Sequence, residues 1–237
     1  MKRGAKGRDA EEERAAAGAG SRGEILAGSR RRGRPLVDDK RRRILDAALR
    51  TFAERGYHGT AVPEVAAAAG VGTGTLYRYF ANKEQLVNDV FRDAKTRLRS
   101  ALIGEGPSLR DYRLDVAERW FADLWRRLGA FARAEPEAFR FLEMQDHAPY
   151  LDEASKHVEL SVLGPLWLAG KRMRDRLGTA RVDVLIALLW GAFVGLVKAS
   201  RLGYLKLDDK TLEEAGETAW KMIAPRAWRA TERKTRG

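Results

Sequence analysis

Apolar side chains recur at helical spacing along most of this chain and rarely alternate as they would in a strand. Ile44, Leu45, Ala48, Leu49 and Phe52 form the first stripe, which predicts a helix capped by Asp38 or Asp39. Gly56 stands where a left-handed C-terminal residue is needed, and Tyr57 follows as its apolar contact. Thr60 is the next candidate N-cap, with Pro63 in the first turn, where a missing N–H costs little. Gly70 ends this Ala-rich helix, and a further short one runs from about Thr73 to Phe80. Asn82 caps a fourth, through Leu86, Val90, Phe91 and Leu98 to about Leu102. Gly104, Gly106 and Pro107 then break the pattern. Beyond the break lie amphipathic segments at about 109–132, 136–147, 151–177, 180–202 and 208–224, with Pro165 expected to kink or split the third.

The fold expected is all-α: an N-terminal three-helix helix-turn-helix domain over 38–102, with the motif at about 61–80, and a C-terminal helical domain over 103–228. Residues 1–37 are a basic arm and 229–237 a basic tail. Both carry too few large apolar groups to offset ordering entropy, so disorder is expected.

Charge sharpens the picture. The chain has 237 residues and a formal net charge of +12, which favours a polyanionic partner. Residues 1–43 hold fourteen Lys and Arg against seven Asp and Glu, more than half of that excess. With no Cys there are no disulfides and no thiolate zinc sites, in agreement with a reducing cytoplasm. Met1-Lys2-Arg3 is followed by no apolar signal segment. The longest apolar run, Val184 to Val197, falls short of the ~20 residues of a typical bilayer span, so a buried core or interface helix is expected and no membrane partner.

The stretch Ala69-Gly70-Val71 followed by Gly74-Thr75-Leu76-Tyr77-Arg78-Tyr79-Phe80 and Lys83-Glu84-Gln85-Leu86 carries the most specific information. With Ile44-Leu45, Ala47-Ala48, Phe52, Gly56-Tyr57, Thr60 and Val65-Ala66, it makes residues 38–98 resemble the N-terminal domain of the TetR family of bacterial transcriptional regulators. The resemblance implies a homodimer that binds a DNA operator, with a C-terminal domain for dimerisation and effector binding. It departs from the family at Gly72, often Ser, and at Pro63, often polar or basic and used by some members on a base. Physical reasoning supports the same surface. Thr73, Gly74 and Thr75 are small enough to bring the second helix of the motif close to phosphates and base edges. Thr75 and Tyr77 suit phosphate oxygens, while Thr73, Arg78 and Tyr79 suit groove edges. Lys83 is placed for another phosphate, and Thr60 could combine capping with one more. Leu76 and Phe80, four apart, should face inward, and Tyr77 and Tyr79 cannot both face one narrow core. In the arm, Arg32-Gly33-Arg34-Pro35 matches the core of an AT-hook for a narrow minor groove, or else supplies non-specific attraction alone.

In the C-terminal half, aromatic and Met side chains mix with Glu143, Gln145, His147, Tyr150 and His157. Because the resemblance implies an effector pocket, Phe121, Trp125, Phe141, Met144, His147 and Tyr150 are its candidate lining, for a small apolar or amphipathic molecule. Plain core filling would look the same. His147 and His157 are spaced wrongly for a metal site, no cofactor is called for, and no catalytic set stands out, so an enzyme is not expected. The 180–202 helix, apolar nearly all round with Gly191 and Gly195 four apart, should pair with 208–224 against their symmetry mates. Trp190, Gly191, Val194, Gly195 and Trp220 are the candidate dimer contacts, the alternative being burial inside one subunit. The function expected is a sequence-specific transcriptional regulator, a repressor on a palindromic operator released by its effector. The alternative is a basic architectural DNA-binding protein without operator choice.

Overall fold

A computed structural model of the chain describes residues 35–103, 114–143, 146–177 and 181–224. Among these there are nine α-helices and no strand. They are α1 (Pro35–Arg55), α2 (Val62–Ala68), α3 (Thr73–Tyr79), α4 (Lys83–Leu102), α5 (Leu114–Ala134), α6 (Pro136–Glu143), α7 (Glu153–Leu177), α8 (Val182–Arg201) and α9 (Asp209–Ile223). A single 3-10 turn, Ala148–Tyr150, lies between α6 and α7.

The N-terminal unit forms around one cluster. Ile44, Phe52, Val65, Leu76, Phe80 and Leu86 are each fully buried in it. The inward placement of Leu76 and Phe80 follows from their four-residue spacing. Gly56 and Gly70 both adopt positive φ, 70° and 65°, which ends α1 and opens the turn between α2 and α3. Arg43 closes that turn from outside, donating to the Ala69 carbonyl at 2.7 Å. Asn82 caps α4 as expected, accepting the Gln85 N–H at 2.7 Å, while Gln85 accepts from Ala81 N–H at 2.6 Å.

Several boundaries differ from the sequence reading. Asp38 and Asp39 do not cap α1, because the chain is already helical at Pro35. Thr60 is not the cap of α2: Ala61 occupies that position, and Glu64 accepts the Ala61 N–H at 3.3 Å. α6 is described over Pro136–Glu143, and residues 146 and 147 are not helical. α7 is one helix through Pro165 rather than two. Pro165 and Gly164 lie on an exposed face of the helix. α8 reaches twenty residues by extending past the apolar run at both ends, so it is long and apolar enough to cross a bilayer. The Gly104–Pro107 break lies outside the described residues.

In the C-terminal body, α9 lies antiparallel along α5. Gly129 faces Leu212, Gly216 faces the Trp125 indole, and the rings of Phe121 and Trp220 meet at 5.6 Å. A Cβ at Gly216 would stand 2.9 Å from Trp125, so the missing side chain is what permits this contact. α4 runs through the middle of the molecule. Its buried positions include two polar residues, Asn88 and Lys95.

Candidate nucleic-acid interface and interior cavity

The outward face of α3 carries Gly74, Tyr77 and Arg78, all exposed, with Thr73 and Thr75 half-buried beside them. Tyr77 keeps 48% of its surface in solvent although it is a large aromatic residue, so it is not a core residue. Tyr79 is half-buried against the core. One tyrosine out and one in is the division that two residues of helical turn demand. Nothing lies within 4 Å of where a Cβ would stand at Gly72 or Gly74, so the approach to the start of α3 is open.

Thr60 and Lys83, two candidate phosphate contacts, make contacts within the chain. The Thr60 hydroxyl is buried and donates to the Gly56 carbonyl at 2.8 Å, tying the end of α1 instead of facing outward. The Lys83 ammonium sits 4.4 Å from the centroid of the Tyr57 ring, and partial burial lowers its pKa from the ordinary lysine value. Arg32 and Arg34 lie outside the described residues.

Tyr57 also stacks on Tyr150, ring centroids 4.4 Å apart, so the motif touches the C-terminal body through an aromatic pair. Tyr150 is held from behind. Its hydroxyl is 2.6 Å from His147 Nδ1, and His147 Nε2 is 2.5 Å from the Phe141 carbonyl. A carbonyl only accepts, so Nε2 carries the proton and Nδ1 accepts from the tyrosine. Burial lowers the His147 pKa and raises that of Tyr150 to about 12, keeping both neutral. Asn88 of α4 completes the knot, donating to the Tyr150 carbonyl at 2.8 Å and accepting the Asp152 N–H at 2.9 Å.

Phe141, His147 and Tyr150 bond and pack with one another at the junction between motif and body. Met144 lies outside the described residues. Phe121 and Trp125 line a partly open cavity of about 130 Å³ between α5, α7, α8, α9 and the end of α4. Trp120, Trp190 and Trp220 complete its aromatic wall. Trp190 and Trp220, expected at a dimer interface, stand in this wall, the first half-buried and the second buried. Trp220 is only 7% exposed, and Trp190 Nε1 donates to Glu143 at 2.7 Å.

Glu143 in turn meets Lys95 at 3.3 Å, and Lys95 meets Glu159 at 3.2 Å. Burial raises the Glu143 pKa, with Lys95 opposing. Asn88 and Lys95 escaped sequence reasoning. Their signal was a pair of polar residues seven apart on the apolar stripe of α4. Among the described residues no side-chain group could hold a metal.

The outer surface of α9 is polar, with Lys210, Glu213, Glu214 and Glu217 exposed. Met222 is its one exposed large apolar side chain, and a larger uncovered apolar surface lies on α7 and α8. It comprises Leu160, Leu163, Trp167 and Leu168 of α7 and Val184 and Leu188 of α8. Gly191 and Gly195 are exposed on α8, with nothing within 4 Å of either missing Cβ, and Val194 is half-buried.

Comparisons with known proteins agree with this layout. Residues 44–90 match the model of bacterial regulatory proteins of the tetR family, and residues 91–224 match the tetracyclin repressor-like C-terminal domain. The fatty acid metabolism regulator protein of Bacillus subtilis is 46% identical over 50 residues, 21% of this chain and 26% of that protein. The chain thus spans about a quarter of that relative's length. A TetR family transcription regulator from Marinobacter aquaeolei superposes with a TM-score of 0.69 at 25% identity, covering 81% of this chain and 99% of that one. Bacillus subtilis FadR, crystallised with stearoyl-CoA, shares the fold, with a TM-score of 0.59 at 19% identity over 77% of this chain and 97% of its own.

Proposed function

The chain belongs to the TetR family of bacterial regulatory proteins, and from that premise we propose that it is a homodimeric transcriptional repressor of the cytoplasm, released from a palindromic operator by a small effector. The observation that carries this reading is the exposure of Tyr77 and Arg78 beside the open Gly74, on a helix fixed from below by Leu76 and Phe80. Arg78 donates to a guanine edge, and Tyr77, Thr73 and Thr75 take phosphates and neighbouring edges.

The dimer forms through α7 and α8 with their symmetry mates. Their uncovered leucines, Trp167 and the bare glycines offer a self-complementary apolar face, whereas the acidic outside of α9 does not. The effector enters the aromatic cavity of the C-terminal body and shifts the equilibrium toward a spacing of recognition helices that no longer matches the operator.

Footprinting on the DNA flanking the protein's own gene tests this. Protection of two half-sites related by a dyad, about 34 Å apart, is expected. Uniform protection without dyad symmetry would instead establish the architectural reading. The basic arm adds phosphate attraction, so deleting residues 1–36 lowers affinity and flattens its salt dependence. An unchanged salt slope would remove the arm from binding.

A further inference from the structure

The unit that carries α2 and α3 is joined to the rest of the molecule at both ends of α1. Near the end of α1 the rings of Phe52 and Phe141 meet at 6.2 Å, and Tyr57 stacks on Tyr150 just beyond it. The remaining packing around α1 is apolar, and apolar burial has no direction, so it sets no angle by itself. Near the start of α1, Arg41 and Arg42 each open a chain of ion pairs that runs across α4. Arg42 and Phe52 are ten residues apart, about 15 Å along the helix, so the ion pairs act where a swing about the aromatic contact would be felt.

In the first chain Arg41 donates to Asp89 at 2.6 Å, and Asp89 pairs with Arg92 one turn on. Arg92 then reaches Asp152 at 2.8 Å and the buried Ser155 hydroxyl at 3.0 Å. Asp152 is itself fixed at the start of α7, where it accepts the Ser155 N–H at 2.7 Å. In the second chain Arg42 donates to Asp93 at 3.0 Å, Asp93 pairs with Arg97 at 2.9 Å, and Arg97 donates at 2.6 Å to Glu135 in the corner between α5 and α6. The links within α4 are three and four residues apart, so each aspartate stands beside its arginine on the helix surface. An isolated exposed pair contributes little, but here each inner group serves two partners. Asp89 is 14% exposed, and Arg92, Asp93 and Arg97 no more than 27%, so salt screens them less than a surface pair. Guanidinium–carboxylate bonds are directional, and they fix the angle that apolar contacts leave open.

That angle has a counterpart on DNA. One base pair advances the duplex by about 3.4 Å, so a swing of that size carries α3 a whole step along the groove. We propose that the two ion-pair chains fix the half-site spacing this protein accepts, with Asp89 and Asp93 as the positioning residues. This rests on the reading of the chain as a dimer on a two-part operator.

Gel shifts of the full chain test it on the footprinted duplex as found and with one base pair inserted or removed at the dyad. A further duplex carries a single half-site. The wild type should prefer the native spacing by about tenfold or more. Asp89→Asn combined with Asp93→Asn keeps the shapes and removes both charges. Its preference should fall below about threefold, with affinity for the single half-site held within about twofold. Arg41→Gln combined with Arg42→Gln cuts only the outer links and should relax the preference likewise, since a ratio of affinities cancels any phosphate contact those arginines make. An undiminished preference in either double variant overturns the proposal. So does an equal loss on the single half-site and the whole operator in the aspartate variant, which would make the charges a support for the fold of the motif and not for its angle. A wild-type footprint without dyad symmetry would sink the dimer reading and the proposal together, whereas a symmetric footprint with unchanged spacing preference sinks the proposal alone.

Discussion

Arg78 and His147 show how differently two polar residues are used. Arg78 is exposed and solvated, so its value is realised only when a base edge replaces water. Arg78→Ala should cost about 1–3 kcal/mol of operator binding at one base pair and leave the melting curve unchanged. Gel shifts on operators altered at single positions check this, and a uniform loss at every position would make Arg78 a phosphate contact. His147 is buried, with both ring nitrogens engaged. Burial holds its imidazole below the ordinary 6.5, so the folded chain refuses a proton that the unfolded chain accepts. The stability this protects is whole above about pH 6.5 and is lost as the pH falls toward the depressed folded value. Urea midpoints of the wild type should therefore drop more steeply than those of His147→Gln between about pH 7.5 and 5.5. Parallel curves would show that the ring titrates in the folded chain as it does in the open one. Leu76 and Phe80 were legible in the sequence because two apolar residues one turn apart on a short helix have only one place to go. Thr60 was misread because a hydroxyl near a helix start can bond forward to the next helix or back to the last one, and the spacing does not distinguish them.

At the scale of elements, α4 joins everything. It starts at Lys83 beside Tyr57, grips the Tyr150 segment through Asn88, holds Glu143 and Glu159 through Lys95, and ends at Leu102 in the cavity wall. Twenty residues give it a length of about 30 Å, so one rigid rod spans from the motif to the cavity. Trp190, in that wall, is tied to the same rod through Glu143. Asn88→Ala would leave the Tyr150 carbonyl and the Asp152 N–H without their partner, at a cost of about 2–3 kcal/mol. Denaturation in urea measures that loss, and a change under about 0.5 kcal/mol would mean that water replaces the amide. Such junctions are hard to read from one chain, since Asn88 and Tyr150 are sixty-two residues apart. The helices themselves were easier. Capping residues and glycines announce where a helix stops, as Asn82, Gly56 and Gly70 do, whereas the phase of a helix that is apolar on every side, α8, is announced by nothing.

For the whole molecule, the proposed dimer places the uncovered face of α7 and α8 at its interface. Leu188 is 53% exposed at its centre. Leu188→Glu should sediment as a monomer and lose about a hundredfold in operator affinity, because two linked half-sites bind far better than one. A variant that remains dimeric would move the interface elsewhere. The all-round apolar character and paired glycines of α8 predict an interface helix packed with α9; its Trp190 is half-buried and Trp220 of α9 buried, both beside the cavity. The two bare glycines of α8 have a consequence for that pairing of subunits. They leave dents a single turn apart, and only a ridge of matching pitch fills both. In the proposed dimer a second copy of this chain supplies that ridge, and a side chain put at either glycine would hold the two copies apart.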